Sequence, residues 1–176
     1  MSIYTYFPKI NYKVDEYDSL RAIDITSAIK IKEYLKSYRG ILYTPYIVKN
    51  GDRPDIVSNK LYANPNYDWI LLIANDMYSI YDDWPRNSFD LESYIIEKYG
   101  SLSSAMSTVK YYYNSSLDII DETTYNNLAS DARRSETQYE YELRINSNKA
   151  KIKVVKRSLI TAITSDLNTI AKRPVL

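Results

Sequence analysis

The stretch YIVKNGDRPDIVSNKLYANPNYDWILLIANDMYSIYDDWP, from Tyr46 to Pro85, contains the clearest structural signals in the chain. Its apolar beginning ends at Asn50-Gly51, a pair that favours a tight turn because glycine readily adopts a positive φ. Two short helical patterns follow, and Asn64-Pro65 separates them, since proline disfavours helix in the residue before it. An aromatic and acidic segment then leads to Trp84-Pro85. The predicted order within this stretch is strand, helix, helix, strand.

Helix-start chemistry supports the two central elements. Pro54 suits the first helical position, and Asp52 is predicted to cap that helix. The second helix has one heavily apolar side, because its large side chains recur at helical spacing. These side chains are Trp69, Ile70, Leu72, Ile73 and Met77. Since Trp69 shares this face, we expect it in the core.

Composition excludes several functional classes. The 176 residues include 23 Lys and Arg and 22 Asp and Glu, so the net charge of +1 offers no field to hold a nucleic acid. There is no Cys and no His, which removes thiol nucleophiles and the side chain best suited to proton transfer near neutral pH. We therefore expect no enzyme, no catalytic residue, no cofactor and no metal site. No apolar run reaches the roughly 18 residues of a membrane span, so we expect no membrane contact and a protein kept in a cytoplasm.

Outside the central stretch the patterns are shorter. Ile3 to Asp18 is predicted to be an extended arm, and a short amphipathic helix follows it up to Gly40. Two helices are predicted from Asn87 to Gly100 and from Leu102 to about Tyr112, as a helical hairpin. Residues 114–121 resemble a loop, and residues 125–134 have only a weak pattern.

The C-terminal part is predicted to contain a β-hairpin and a helix. Gln138 to Asn146 alternates apolar and polar residues, which indicates a strand, and Ile152 to Val155 is its predicted partner. A helix over Glu136 to Lys149 remains an alternative. A last helix is predicted to begin at Ser158 and to end before Pro174. The fold class is therefore α+β, in four segments: 1–40 an arm and short helix, 41–86 the central domain, 87–134 the helical hairpin and loop region, and 135–176 the hairpin-helix unit.

The central stretch resembles a LysM module. Tyr46, Val48 and Gly51-Asp52 match the end of its first strand, Asn64-Pro65 its turn, and Ala74-Asn75 the end of its second helix. Free-standing sugar-binding modules usually have Thr and small residues where this chain has Arg53-Pro54-Asp55. A LysM-type module that binds peptidoglycan is thus one hypothesis, and it predicts export or fusion to a hydrolase. A lysis or tail-associated hydrolase is a more remote hypothesis, since the chain has no His, no Cys and no paired acids in a defined context.

The central stretch, with its departure from the usual LysM pattern, looks like the baseplate wedge protein 53 family of contractile-tailed bacteriophages. The matching motifs are R-P-D, then L-Y-x-N-P-x-x-x-W-I-L-L-I-x-N-D from Leu61 to Asp76, then Asp83-Trp84-Pro85. The resemblance implies a structural subunit with a LysM-like core, present in multiple copies in a six-fold assembly in the virion and made in the host cytoplasm. It further implies contacts with other wedge proteins, the sheath-initiating baseplate protein and adjacent wedge copies.

Interface candidates follow from composition and position. The chain has 20 Tyr and 2 Phe, and tyrosine suits partly wet interfaces, although an AT-rich genome also raises its count. Trp84 lies between acidic residues and Pro85-Arg86, where the pattern does not demand burial. The predicted interface residues are Tyr4, Tyr6, Phe7, Arg53, Asp55, Trp84 and Arg86.

Overall fold

The computed structural model describes residues 9–13, 19–23, 32–34 and 43–170, and it contains both helices and strands, which confirms the α+β class. The chain divides into two compact units. The first comprises residues 1–48, 52–84 and 151–176, and the second comprises residues 49–51 and 85–150. The four-segment division from the sequence stays a prediction, while its individual elements can be compared with those observed.

The elements have the following bounds. The strands are β1 Lys9–Lys13, β2 Ser19–Ile23, β3 Tyr43–Ile47, β4 Val109–Asn114, β5 Ile119–Ile120, β6 Arg133–Thr137 and β7 Lys151–Val155. The α-helices are α1 Pro54–Tyr62, α2 Asp68–Ala74, α3 Ser88–Tyr99, α4 Leu102–Ser107, α5 Glu122–Asn127, α6 Gln138–Lys149 and α7 Ile160–Ile170. Short 3-10 helices cover Pro65–Tyr67, Ser130–Ala132 and Arg157–Leu159.

Two antiparallel strand pairs belong to the first unit. β1 pairs with β2, so the described part of the predicted N-terminal arm is one strand of an antiparallel pair. Residues 32–34 are helical, and the rest of the predicted first helix lies outside the described residues. β3 pairs with β7, with Tyr43 opposite Val155 and Ile47 opposite Lys151. The core side chains Ile152 and Val154 alternate along β7 with exposed lysines, as period two requires.

The turn and helix signals of the central stretch are largely confirmed. Gly51 has φ +80°, Pro54 is the first residue of α1, and α1 ends at Tyr62, two residues before Asn64. Trp69 is 5% exposed, in the core as expected. The predicted cap is wrong, because the side chain of Asp52 accepts hydrogen bonds from Lys60 at 2.7 and 2.9 Å and Arg53 occupies the cap position.

The predicted closing strand before Trp84-Pro85 is also wrong. Residues 77–79 have no regular secondary structure, and residues 80–83 form turns. The carboxylate of Asp83 accepts hydrogen bonds from the backbone N–H groups of Tyr78 at 2.7 Å and Ser79 at 2.9 Å, so local side-chain bonds replace a ladder. The strand that pairs with β3 is β7, which follows α2 only after the whole segment 85–150.

Asn75 connects the end of α2 to β7. Its amide nitrogen donates to the carbonyl oxygens of Leu71 and Lys153, each at 2.8 Å, and its side-chain oxygen accepts from the N–H of Lys153 at 2.7 Å. One side chain therefore satisfies both backbone groups of a strand residue and one carbonyl at a helix end.

We expect Asn75→Ala to lower the free energy of unfolding of the first unit by about 1–3 kcal/mol, because three hydrogen bonds are lost but water can reach Lys153. Urea denaturation followed by tryptophan fluorescence measures this, since Trp69 and Trp84 both belong to that unit. Asn59→Ala, at an exposed position of α1, is the matched control and should cost nothing. Equal midpoints for the two variants would contradict the connecting role of Asn75.

The second unit contains the predicted helical hairpin. The Asn87 side chain accepts from the N–H of Asp90 at 2.9 Å to begin α3, and Gly100, with φ +85°, ends it. α4 is shorter than predicted, because residues 109–114 form β4 in a sheet of order β5–β4–β6. Val109 and the three tyrosines that follow Lys110 favour strand over helix. Leu91, Ile95 and Ala105 form the core, against which Tyr94, Tyr99, Leu102 and Tyr139 pack.

The predicted strand over Gln138 to Asn146 is wrong, and the helical alternative is confirmed as α6. Thr137 and Glu140 form a capping box, in which the Thr137 hydroxyl accepts from the N–H of Glu140 at 3.2 Å and Glu140 accepts from the N–H of Thr137 at 2.8 Å. This local stabilisation of a helix start outweighs the alternating pattern. The strand predicted at Ile152 is real, but its partner is β3 and the predicted C-terminal β-hairpin does not form. The last helix is confirmed by α7, up to the end of the described residues.

Candidate interaction surfaces

The seven predicted interface residues have different surroundings. Tyr4, Tyr6 and Phe7 lie outside the described residues. Arg53 donates to Asp55 through Nε at 3.1 Å and through a terminal nitrogen at 2.7 Å. The hydrogen bond from this guanidinium group lowers the pKa of Asp55. Because the Arg53 side chain is 72% exposed, the pair adds little stability, and both groups remain accessible to a partner.

Trp84 corrects the expectation of an exposed anchor. Its side chain is only 4% exposed, and its indole N–H donates to the carbonyl oxygen of Asp52 at 2.7 Å within the first unit. The loop position therefore does not mean exposure, because the ring is buried and its indole N–H is bonded to Asp52, two residues before α1 begins. Trp84 supports the fold and is not a surface residue.

Arg86 belongs to the second unit and is half-buried. Its guanidinium carbon lies 4.2 Å from the centroid of the Tyr94 ring, which is a cation–π contact. Its backbone is fixed by Asn146, whose side-chain oxygen accepts from the Arg86 N–H at 2.7 Å and whose amide donates to the Arg86 carbonyl at 2.9 Å. The Arg86 side chain is thus held against the Tyr94 ring, and its backbone is held by Asn146.

An aromatic loop of the first unit is exposed. Tyr78, Ile80 and Tyr81 are 82%, 48% and 86% exposed. The backbone beneath them is held by the carboxylate of Asp83, as described above, and by the bond from the Asp83 N–H to the Ser79 carbonyl at 2.8 Å. Large rigid side chains on an ordered loop are well suited to a protein interface, because little conformational freedom is lost on binding.

Buried carboxylates organise the tyrosine-rich part of the second unit. Glu136 on β6 accepts from Arg144 on α6 at 2.5 and 2.9 Å and from the Tyr113 hydroxyl at 2.8 Å. The hydrogen bonds from Arg144 lower the pKa of Glu136 and raise that of Arg144. The neighbouring ring of Tyr141 lies in cation–π distance of Lys110, at 4.2 Å, and packs edge-on against Tyr111. These tyrosines therefore have a structural role.

A second carboxylate joins α6 to α3. Glu142 is 5% exposed, and its Oε1 accepts from the Tyr99 hydroxyl at 2.6 Å and from Lys98 Nζ at 3.0 Å. Burial raises the pKa of this carboxyl, but the two hydrogen bonds outweigh burial, and the net shift is downward. Glu142 is therefore a charged residue held inside the unit by its partners.

Metal-binding groups and membrane-spanning helices are absent from the described residues. In residues 9–13, 19–23, 32–34 and 43–170, no group of three or more acidic side chains is placed to hold a metal ion. Over the same ranges, no helix is both long and apolar enough to cross a membrane.

Comparison with known proteins gives a family and a relative. The model of the family described as base plate wedge protein 53 matches residues 2–119. The chain belongs to this family. A relative, the baseplate wedge protein gp53 of Enterobacteria phage T4, is 25% identical over 195 aligned positions, which cover 97% of this chain and 96% of the relative. The resemblance seen in Arg53-Pro54-Asp55 and the motifs after it is confirmed at the family level.

The sequence did not single out two apolar surfaces. Tyr78, Ile80 and Tyr81 lie in the segment where the sequence predicts a closing strand. Asp82-Asp83 near Ser79 is a signal for a turn stabilised by side chains. Leu117 and Ile119, 64% and 63% exposed, lie in a segment interpreted as a loop. No pattern in the sequence distinguishes an exposed leucine in a turn from one that folds inward.

Proposed function

We propose that the chain is a structural component of a phage tail baseplate wedge and joins neighbouring wedges around the tail tube through protein-protein contacts. The observation that carries this proposal is the family match over residues 2–119. The similarity to a named baseplate wedge protein runs along nearly all of both chains, which supports a shared role for the whole polypeptide.

The proposal includes location and partners. The chain lies in the tail baseplate of the virion and is present in the host cytoplasm during assembly. Its partners are other wedge proteins, the sheath-initiating baseplate protein and adjacent wedge copies in a six-fold assembly. It is not an enzyme and binds no nucleic acid, which fits a sequence without His or Cys and with a net charge of +1.

The exposed aromatic loop is the physical support for a joining role in the first unit. Tyr78 and Tyr81 offer two rings, 82% and 86% exposed, on a backbone fixed by Asp83. Tyrosine is enriched in the energetically dominant centres of protein interfaces. The LysM-like core then holds protein, and the peptidoglycan-binding alternative becomes an outcome to be tested.

Two binding experiments separate these functions. The purified chain is mixed with each wedge protein of the same phage and, in parallel, with purified peptidoglycan. We expect saturable complexes with wedge proteins, and about tenfold weaker binding by the double variant Tyr78→Ser/Tyr81→Ser. Phe89→Ser, which removes a 77% exposed ring from the other unit, is the control for general loss of apolar surface. Firm binding to peptidoglycan without any protein partner would contradict the proposed role.

A further inference from the structure

The turn between β4 and β5 has an unusual backbone conformation at Leu117. The Asn114 carbonyl accepts from the N–H of Leu117 at 3.0 Å, and the Asn114 side-chain oxygen accepts from the N–H groups of Ser116 at 3.0 Å and Asp118 at 2.9 Å. These bonds fix the turn and leave Leu117 with φ +64°. Glycine or asparagine usually occupies such a position, because a larger side chain is strained in the left-handed region.

Burial does not offset this strain. Leu117 is 64% exposed, and Ile119, two residues later on β5, is 63% exposed. Two large aliphatic side chains thus project at the tip of one hairpin, and one of them does so from an unfavourable backbone conformation. Strained positions that the fold itself does not require often belong to functional sites.

A recess of about 230 Å³ lies beside Leu117. Its lining residues are Tyr113, Leu117, Arg134, Glu136 and Arg144. Arg144 already pairs with Glu136 at 2.5 and 2.9 Å, and Tyr113 donates to the same carboxylate. The recess thus has two guanidinium groups, those of Arg134 and Arg144, and one carboxylate, that of Glu136. Its net charge is +1, and the exposed Arg134 on β6 supplies the excess positive charge.

We propose that this tip and recess, a binding surface formed by Leu117, Ile119, Tyr113 and Arg134, take a segment of another baseplate protein that carries an apolar side chain beside a carboxylate. The apolar side chain packs on Leu117 and Tyr113, and the carboxylate pairs with the Arg134 guanidinium group, which suits bidentate binding. This inference rests on the proposed baseplate function and names the chemistry of one partner.

A second copy of this chain is the competing occupant. Its most exposed aromatic side chains that precede an acidic residue are Tyr81 and Phe89. The carboxylate of Asp82 already accepts from Ser79 at 2.9 Å, and that of Asp90 accepts from Asn87 at 2.7 Å. Neither pair presents an uncommitted carboxylate for Arg134, and docking through the exposed pair Ile96-Glu97 would require the copies to self-associate.

The test uses the full chain and the wedge proteins of the same phage, added one at a time in a binding titration. We expect Leu117→Asn to weaken one complex about tenfold or more. Its melting temperature should stay level or rise by up to about 4 °C, because asparagine relieves the backbone strain. Arg134→Glu should weaken the same complex and reduce its salt dependence. Leu143→Asn, the same change at a 41% exposed helical position, is the matched control and should leave binding intact.

Each contrary result has a distinct meaning. Binding by wild type that neither Leu117→Asn nor Arg134→Glu alters would overturn the inference and leave the baseplate role standing. A wild-type chain that binds no wedge protein would contradict the baseplate role itself. A melting temperature that falls further for Leu117→Asn than for Leu143→Asn would show that Leu117 supports the fold. Self-association of the wild-type chain that is lost in Leu117→Asn would identify a second copy as the occupant. Both results overturn the proposal.

Discussion

Replacing Trp84 with alanine is expected to lower the free energy of unfolding of the first unit by about 3–5 kcal/mol, the usual cost of removing a buried aromatic side chain. The ring is 4% exposed, so truncation leaves a large cavity. It also leaves the Asp52 carbonyl without the indole donor at 2.7 Å. This loss is a large part of the stability of an ordinary domain.

Trp84→Phe separates packing from hydrogen bonding. The phenyl ring keeps most of the apolar volume, and we expect a loss of about 1–2 kcal/mol from the unmade bond to Asp52 and the smaller ring. Tyr81→Ala, three residues earlier and 86% exposed, is the control and should change stability by less than about 0.5 kcal/mol. The chain has two tryptophans, so Trp69 remains as the fluorescent reporter in urea denaturation. Similar midpoints for Trp84→Ala and Tyr81→Ala would rule out a core role.

Local sequence signals predicted much of the central stretch from Tyr46 to Pro85. Gly51, Pro54 and Asn64 act within a few residues of themselves, so the turn and the helix boundaries they specify can be read directly. Trp69 was predicted to be buried because its neighbours on one helix face are apolar. Such predictions succeed because the physical cause lies within one or two helical turns.

The pairing of β3 with β7 was beyond such reasoning. Ile47 lies opposite Lys151, and more than a hundred residues of chain separate the two strands. A pattern of alternating side chains indicates a strand but does not specify its partner. The segment before Trp84 is nearer to β3 in the sequence than β7 is, and the closing strand was predicted there. The remote strand forms the sheet because Ile152 and Val154 can be buried there, which is a property of the folded unit.

The surfaces were harder to predict than the core. Loop position suggested that Trp84 was exposed, whereas the contact with Asp52 buries it. Leu117 was not distinguished from other aliphatic residues, because its φ of +64° depends on the side-chain bonds of Asn114. Both outcomes depend on contacts that form in three dimensions and leave no mark on hydrophobic periodicity.

Replacing Glu142 with leucine is expected to lower the free energy of unfolding of the second unit by about 2–3 kcal/mol. The change removes the acceptor of the Tyr99 hydroxyl, at 2.6 Å, and of Lys98 Nζ, at 3.0 Å. Breaking a buried ion pair costs more than this when both charges are dry. The Lys98 side chain is 39% exposed and can regain water, so the cost is reduced. Thermal unfolding followed by far-UV circular dichroism measures the loss.

The charge of Glu142 also predicts acid sensitivity. Burial opposes its ionisation, but the bonds from Tyr99 and Lys98 bring its folded-state pKa below the ordinary value. A lowered pKa gives stability that is complete above the unfolded pKa of about 4.3 and is lost as pH falls through the folded value. We therefore expect the melting temperature to be level above about pH 5.5 and to fall below about pH 4.5.

Glu142→Gln tests the origin of this pH dependence. Its melting temperature should be lower than wild type at pH 7 and should fall less between pH 5 and pH 3, because one of the favourable carboxylates is gone. Glu136, whose pKa is also lowered by its bonds to Arg144, keeps part of the acid dependence in this variant. Glu97→Gln, an exposed change on α3, is the control and should follow wild type at every pH. If Glu142→Gln and wild type lose the same number of degrees on acidification, the buried ion pair is not what ties α6 to α3 at neutral pH.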